Sequence, residues 1–491
     1  QTTRAAVCAR TVRRLWGTRR PLKGARVEFK HIAFLIAIVL VLTLGRALCK
    51  RHAVLRDACA FVLVWGTTRA DMLDLNFLSR EWYRGTTRGI EVSWLDLLWI
   101  LLLSSLPWKR HRPLWVPGLG PMLLFWGYNL LIVIYSEPSI FGVFELSKMF
   151  RQICVFMTMA HYVNGDRELL VIGRALVVAV GYEFIFSARS RFFWGVARAD
   201  GTLGHPNALS MYELMAVPAL IALSIANVRQ SLRQAFAVAA ILGSITVLLT
   251  VSRNGIFSLA IIGAFMALAC GSLRGLTRRH LRLALATAAV LGVFVVVAYR
   301  DLQSRFETDA IGKEYSGKVW EGRGAYLVLA KHIVAREPFG CGLNNWSWCA
   351  SNRYGPLIEQ YYVPYTSTEK APARRRLRRH SHIDAQQAAP AHSLYAITLG
   401  ETGWPGVFLY GIVWLRWFAI AGTFLRARSS VLRYRFGVGV FGALIGALGQ
   451  SFSEWEVRLT PLAFLLHILL GAASAAHSSS RFSWQNDAVE D

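Results

Sequence analysis

Two arginines and one histidine are the residues of this sequence with the most distinctive chemistry. Arg253 lies at the end of an apolar run in SRNG, Arg323 begins an amphipathic stretch in GRGAY, and His392 in AHSLY precedes another apolar run. An arginine near a membrane is costly unless it reaches the interface or pairs with an anion. The guanidinium fork matches phosphate oxygens, and a neutral imidazole accepts a proton from a hydroxyl. Together they predict a site that binds a diphosphate and activates a hydroxyl.

Each residue also has a structural interpretation, which the sequence leaves open. Arg253 and Arg323 would place their charges among lipid head groups, and His392 would cap the next helix or bond a backbone carbonyl. GHPN suits a turn and helix cap as well as a contact to substrate, and the glutamate of GETGWPG suits hydrogen bonding near a helix start. These two motifs supply the secondary site candidates His205, Asn207 and Glu401.

The composition is that of a membrane protein. Of 491 residues, 54% are hydrophobic and only 17% charged, and the mean hydropathy is +0.37. In a soluble protein, the net charge of +26 would suggest nucleic-acid binding, but no aromatic-basic recognition module is present. We therefore assign the positive charge to the cytoplasmic loops of a membrane protein. The seven cysteines show no zinc-ligand spacing, and no metal is predicted.

The apolar runs predict an all-α polytopic membrane protein with about twelve transmembrane helices. Basic loops such as 108–112 and 227–233 fall on one side, which the positive-inside rule makes the cytoplasm. If the short segment 53–66 crossed the membrane completely, the basic N-terminus would lie on the outer side. We therefore expect a partial or interfacial helix there. The predicted spans are 31–48, 92–107, 114–135, 140–162, 168–187, 207–226, 235–250, 254–271, 281–299, 404–424, 435–450 and 459–476.

A long polar interval, 300–391, lies on the side opposite the basic loops. Its stretch 325–334 has the period of an amphipathic helix, which Pro338 and Gly340 would end. Cys341 and Cys349 follow, and they suit either a disulfide in an oxidising compartment or two free thiols.

Four sequence blocks resemble, in order, the O-antigen ligase family, which includes polysaccharide polymerases and protein O-oligosaccharyltransferases. They are GTLGHPNALSMYELMAVPALIAL, TVSRNGIFSLAIIGAF, EGRGAYLVLAKHIVAREPFGCGLNNW and AHSLYAITLGETGWPGVFLY, within about 200–415. The resemblance implies a GT-C-like bacterial inner-membrane glycosyltransferase. It would use undecaprenyl-diphosphate-linked glycan at the periplasmic face, without cofactor, metal or nucleotide sugar.

The resemblance also assigns roles. Arg253 and Arg323 match the family arginines that bind the diphosphate, and His392 matches its essential loop histidine. An acceptor hydroxyl would attack the anomeric carbon with inversion while undecaprenyl diphosphate leaves. The family commonly has Asn after this histidine, and here Ser393 follows, which puts the role of that neighbour in doubt.

Several functions remain open on the sequence. The expected acceptor is the lipid A-core of lipopolysaccharide, and the alternatives are another lipid-linked repeat unit, which defines a polymerase, or a protein hydroxyl. The basic run 374–379 is either a solvated loop or a contact to the phosphorylated core. Outside this class, a transporter would also hold charges in a membrane, but no inverted repeat is visible. Membrane lipids are expected partners, and nucleic acid is not.

These expectations divide the chain into five parts. A basic cytoplasmic tail, 1–30, precedes an uncleaved first helix and the N-terminal transmembrane bundle, 31–299. A periplasmic loop or cap, 300–391, is followed by C-terminal transmembrane helices, 392–476, and a cytoplasmic tail, 477–491.

Overall fold

The computed structural model describes residues 29–70, 72, 74–80, 83–106, 114–270, 323–354, 389–427 and 429–478, with single positions at 292, 299 and 303. Several predicted features lie outside these residues. They are nearly all of the two tails, the basic loop 108–112, the span 281–299 as a unit, and the basic run 374–379.

Helices dominate the described ranges. The first group is α1 Phe29–Leu40, α2 Arg46–Arg51, α3 Ala53–Gly66, α4 Trp94–Ser105, α5 Leu119–Tyr135, α6 Ser139–Tyr162 and α7 Asp166–Ala188. The second group is α8 Pro206–Ser224, α9 Gln230–Leu249, α10 Arg253–Cys270, α11 Gly324–Arg336, α12 Trp346–Cys349, α13 Leu394–Gly422, α14 Leu432–Gln450 and α15 Thr460–Ser478. A π-helical turn, Val41–Gly45, joins α1 to α2.

Seven helices of the described chain are long and apolar enough to cross a membrane: His31–Arg51, Asp166–Phe193, Pro206–Ser224, Gln230–Leu249, Arg253–Cys270, Leu394–Arg426 and Thr460–Ser478. The protein is therefore a multi-pass helical membrane protein. The predicted spans 92–107 and 114–135 correspond to the shorter apolar helices α4 and α5. The predicted spans 140–162 and 435–450 are the helices α6 and α14, which are not among the seven.

One helix forms the centre of the bundle. Helix α8 is buried on all sides and packs most extensively against α14 and α9. An apolar helix without a polar face belongs in the interior of a bundle. Its first residues therefore lie near the middle of one end of the bundle.

The segment expected to be a partial or interfacial helix forms the 14-residue helix α3. Its length corresponds to about 21 Å, which is less than the roughly 30 Å of a hydrocarbon core. One face of α3 is buried, with Cys59, Ala60 and Leu63 among its buried residues, and it packs against α7 and α4. It is thus an integral part of the bundle.

The structure also contains a small antiparallel sheet that the all-α prediction did not include. Strands β1 Asp74–Ser79 and β2 Gly89–Ser93 pair with Leu75 opposite Val92. The two strands have six and five residues, and an alternation of polar and apolar residues over so short a run is hard to detect among long apolar segments. The predicted amphipathic helix is confirmed as α11, which buries Ala325, Leu329 and Ile333 and packs on α13.

Backbone hydrogen bonds define the two ends of the bundle. At one end Ala199 N donates to Leu249 O at 3.0 Å, and Leu394 N donates to Ser451 O at 3.0 Å; we call this the site end. At the other end Asn227 N donates to Ser430 O at 2.8 Å. The predicted basic loop 227–233 therefore lies beside the connection between α13 and α14.

Candidate functional site

A buried glutamate joins three separate parts of the chain at the site end. Glu454 lies in the segment 451–458 between α14 and α15, which we call the acidic turn, and its side chain is 1% exposed. Its Oε2 lies 2.9 Å from His392 Nδ1. Its Oε1 accepts from Arg323 Nη2 at 2.8 Å and from Asn207 Nδ2 at 2.6 Å. Three donors offset the cost of burying this carboxylate.

Backbone contacts fix His392 beside the acidic turn. The amide of Leu394 lies within hydrogen-bonding distance of the carbonyls of Ser451, at 3.0 Å, and Glu454, at 3.2 Å. Ser393 is the N-cap of α13, where its hydroxyl accepts from Ala396 N. The serine that stands where the family commonly has Asn is thus a helix cap, and capping supports the local backbone that carries the imidazole.

Helix α11 brings Arg323 to the same place. Arg323 is the N-cap residue of α11, and its side chain is 22% exposed. One turn later, the Tyr326 ring lies 6.2 Å from the His392 ring, centroid to centroid. Residues three apart share a helix face, so one face of α11 presents both a cation and an aromatic ring to the site.

A second imidazole contacts the acidic turn two residues further on. His205 is the N-cap of α8, and its Nδ1 forms an ion pair with Oε1 of Glu456. The contact with Glu456 raises the pKa of His205, and burial raises the pKa of Glu456. Because the two groups interact directly, their titration belongs to the pair together.

Arg198 extends the network on the side of α8. Its Nη2 donates to Asn207 Oδ1 at 2.9 Å, and its Nε donates to the carbonyl of Thr250 at 3.2 Å. Asn207 therefore links Arg198 to Glu454 through the two ends of one amide. In GHPN, His205 occupies the N-cap position of α8 without a side-chain cap hydrogen bond, and Asn207 lies inside the polar site.

Arg253 begins α10 at the site end. The next residue, Asn254, donates to Ser453 Oγ at 2.7 Å, which ties the start of α10 to the residue before Glu454. The structure thus brings the backbone of Arg253 to the acidic turn, while Arg323, His392 and Asn207 reach Glu454 directly. The three principal sequence candidates lie at one end of the bundle.

Glu401 has different partners from the other candidates. Its carboxylate pairs with Arg458 Nη1 at 2.7 Å and accepts from Trp346 N at 3.4 Å, and it is 1% exposed. Glu401 therefore anchors the end of the acidic turn to α12 and α13. It is a buried structural partner and is not joined to the Glu454 cluster by a direct contact.

The geometry prepares His392 to accept a proton. A carboxylate only accepts hydrogen bonds, so the contact to Glu454 assigns the proton of the neutral ring to Nδ1 and leaves a lone pair on Nε2. The His392 side chain is 39% exposed while Glu454 is buried. A buried carboxylate that orients an accessible imidazole also stabilises the imidazolium formed after proton transfer.

Sequence reasoning missed Arg198, Glu454 and Glu456. The acidic turn reads SFSEWEVR, with two of the chain's 29 acidic residues between two apolar segments on the side predicted for His392. Acidic residues at a membrane boundary favour a functional interpretation, so the sequence could have indicated both glutamates as site candidates. The side chain that each glutamate contacts depends on packing between helices that are distant in sequence.

Fold and site together define a multi-pass helical membrane protein with an Arg–His–Glu cluster at one end of its bundle. Residues 238–411, about a third of the chain, match the family model described as O-Antigen ligase. This match confirms, over that part of the chain, the predicted resemblance to the O-antigen ligase family. No curated protein matches the chain. The matched range contains Arg253, Arg323 and His392.

Proposed function

We propose that this protein is an enzyme, a bacterial inner-membrane glycosyltransferase of GT-C-like architecture that transfers undecaprenyl-diphosphate-linked glycan to a hydroxyl of lipid A-core at the periplasmic face. One observation carries the proposal. Glu454 joins the imidazole of His392 to the guanidinium of Arg323 at a single buried carboxylate. A base for a hydroxyl and a cation for a phosphate are thereby held side by side.

The proposed reaction is a single displacement with inversion. The acceptor hydroxyl attacks the anomeric carbon, His392 Nε2 takes the hydroxyl proton, and the bond from that carbon to the diphosphate oxygen breaks. The electron pair stays on the diphosphate. Arg323 and Arg253 neutralise the charge that develops there, which positioned cations accomplish without a metal ion.

Arg323 has two anionic partners in this scheme. In the structure its guanidinium pairs with Glu454 at 2.8 Å. A guanidinium has five N–H donors in a planar fork, so a diphosphate arriving from the accessible side can be bound as well. The carboxylate keeps the arginine in position before the donor binds, and this reduces the ordering cost of binding.

The test uses purified protein, a lipid-linked oligosaccharide and lipid A-core, with products followed by gel shift. Wild-type protein is expected to produce a lipid A-core band of lower mobility. His392→Ala should lower the rate by about 10²- to 10⁴-fold, the range for a general base, while donor binding persists. The matched control is His332→Gln, an exposed histidine on α11. A normal rate for His392→Ala would overturn the assigned role.

The same assay separates the competing functions. Donor elongation in the absence of lipid A-core would identify a polymerase, and glycan transfer to an added protein would identify a protein-glycosylating enzyme. Movement of the donor across a vesicle membrane without a covalent product would identify a transporter.

A further inference from the structure

The acidic turn carries a second imidazole–carboxylate pair that the proposed mechanism does not use. Glu454 contacts His392 and Glu456 contacts His205, in both cases through Nδ1 of the ring. The two carboxylates are buried, with 1% and 5% exposure, and the two imidazole side chains are accessible, with 39% and 45% exposure. Each ring is therefore oriented by a carboxylate through Nδ1, and its other nitrogen, Nε2, takes no part in that contact.

The two pairs belong to one polar cluster. Asn207 follows His205 by two residues in the first turn of α8 and donates to Glu454 at 2.6 Å. The charged groups that act on His205 are Glu456, Glu454 and Arg198, and His205, Glu454 and His392 act on Glu456. Every one of these groups lies at the site end, around the acidic turn.

We propose that His205, oriented by Glu456, is a second catalytic residue that donates a proton to the departing diphosphate. This inference rests on the proposed glycosyl transfer and adds a proton donor for its leaving group. The Nε2–H of protonated His205 would pass its proton to the phosphate oxygen as the bond from the anomeric carbon breaks. His392 gains the hydroxyl proton while His205 loses one, so the charges balance, and exchange with water restores both rings.

The electrostatics of the pair suit this role. Glu456 raises the pKa of His205 through their hydrogen bond, so protonated His205 persists to higher pH than an isolated imidazole. A neutral base at His392 and a protonated acid at His205 are the two states that the reaction needs. The rate should therefore fall at alkaline pH as His205 loses its proton.

The experiment measures the pH–rate profile of transfer for the full-length protein in detergent, with lipid-linked oligosaccharide and lipid A-core. Wild type is expected to show a rate that falls on the alkaline side of its optimum. His205→Gln should lose the alkaline limb and fall by about 10²-fold at the optimum, the lower range for general acid catalysis. Its side chain makes no N-cap hydrogen bond in α8, so the substitution removes no cap. His332→Gln serves as the matched control.

A second variant keeps the test decisive if His205→Gln does not fold. Glu456→Gln keeps the shape of the side chain but removes the carboxylate that favours protonated His205, so the alkaline limb should move to lower pH. A merely structural role of His205 would lower the rate without moving the alkaline limb. An unshifted alkaline limb in both variants would overturn the inference and leave the proposed function intact. No product from wild-type protein would instead overturn the proposed function.

Discussion

Nδ1 of His392 lies 2.9 Å from Oε2 of Glu454, although the two residues are 62 positions apart and belong to different helix connections. The same carboxylate accepts from Arg323 and Asn207 through its other oxygen. Glu454 therefore has two tasks. It sets the tautomer of the imidazole, and it positions the guanidinium.

Glu454→Gln is the most direct test of the first task. A glutamine amide keeps the volume of the side chain but carries no charge, so it no longer stabilises the imidazolium that forms at His392. We expect kcat to fall by roughly 10²-fold. Steady-state kinetics measures this effect, and an unchanged kcat would show that Glu454 does not assist His392.

Arg323→Ala tests the second task. Removing a positioned cation that stabilises developing charge costs about 10²- to 10³-fold in rate, and the loss should appear in kcat/KM for the lipid-linked donor. Arg323→Lys keeps a point charge but loses the fork and should recover only part of the rate. Lys331→Ala, an exposed position on α11, is the control. Equal donor kinetics for Arg323→Ala and wild type would contradict diphosphate binding.

The sequence was sufficient to predict a helical membrane protein, because apolar runs long enough to span a membrane are compatible with few other folds. It also selected Arg323 and His392, which the structure joins through Glu454. It did not reveal that partner, because the meeting of the acidic turn with α11 and α13 depends on how helices far apart in sequence pack. A sequence gives the residue types, whereas the pairing of Glu454 with one histidine and of Glu456 with another depends on the tertiary structure.

The cysteines illustrate the same limit. The spacing of Cys341 and Cys349 left a disulfide and two free thiols equally open, and the structure has both side chains buried as free thiols. The Cys349 Sγ lies 3.7 Å from the carbonyl oxygen of Cys341, a contact that needs no covalent bond.

Free thiols at these positions predict insensitivity to reductants. Burial raises the pKa of the Cys341 thiol well above its usual value, so little thiolate is present at neutral pH and reaction with maleimides should be slow until the protein unfolds. Dithiothreitol should leave the melting temperature and the transfer rate unchanged. Peptide mapping under non-reducing conditions provides the check, and a peptide pair linked through Cys341 and Cys349 would contradict the prediction.

Gly403 offers a test of how the segment after α11 contacts α13. Its φ is 66° inside the helix, in the left-handed region that favours glycine, and a Cβ there would collide with the carbonyl oxygen of Pro338. Gly403→Ala should lower the free energy of unfolding by about 1–3 kcal/mol and disturb the contact between α13 and the segment after α11. Gly411→Ala in the same helix is the control, because a Cβ there has no neighbour within 4 Å and alanine favours a helix. Thermal unfolding in detergent compares the two variants, and equal melting temperatures would show that the positive φ at Gly403 is not required.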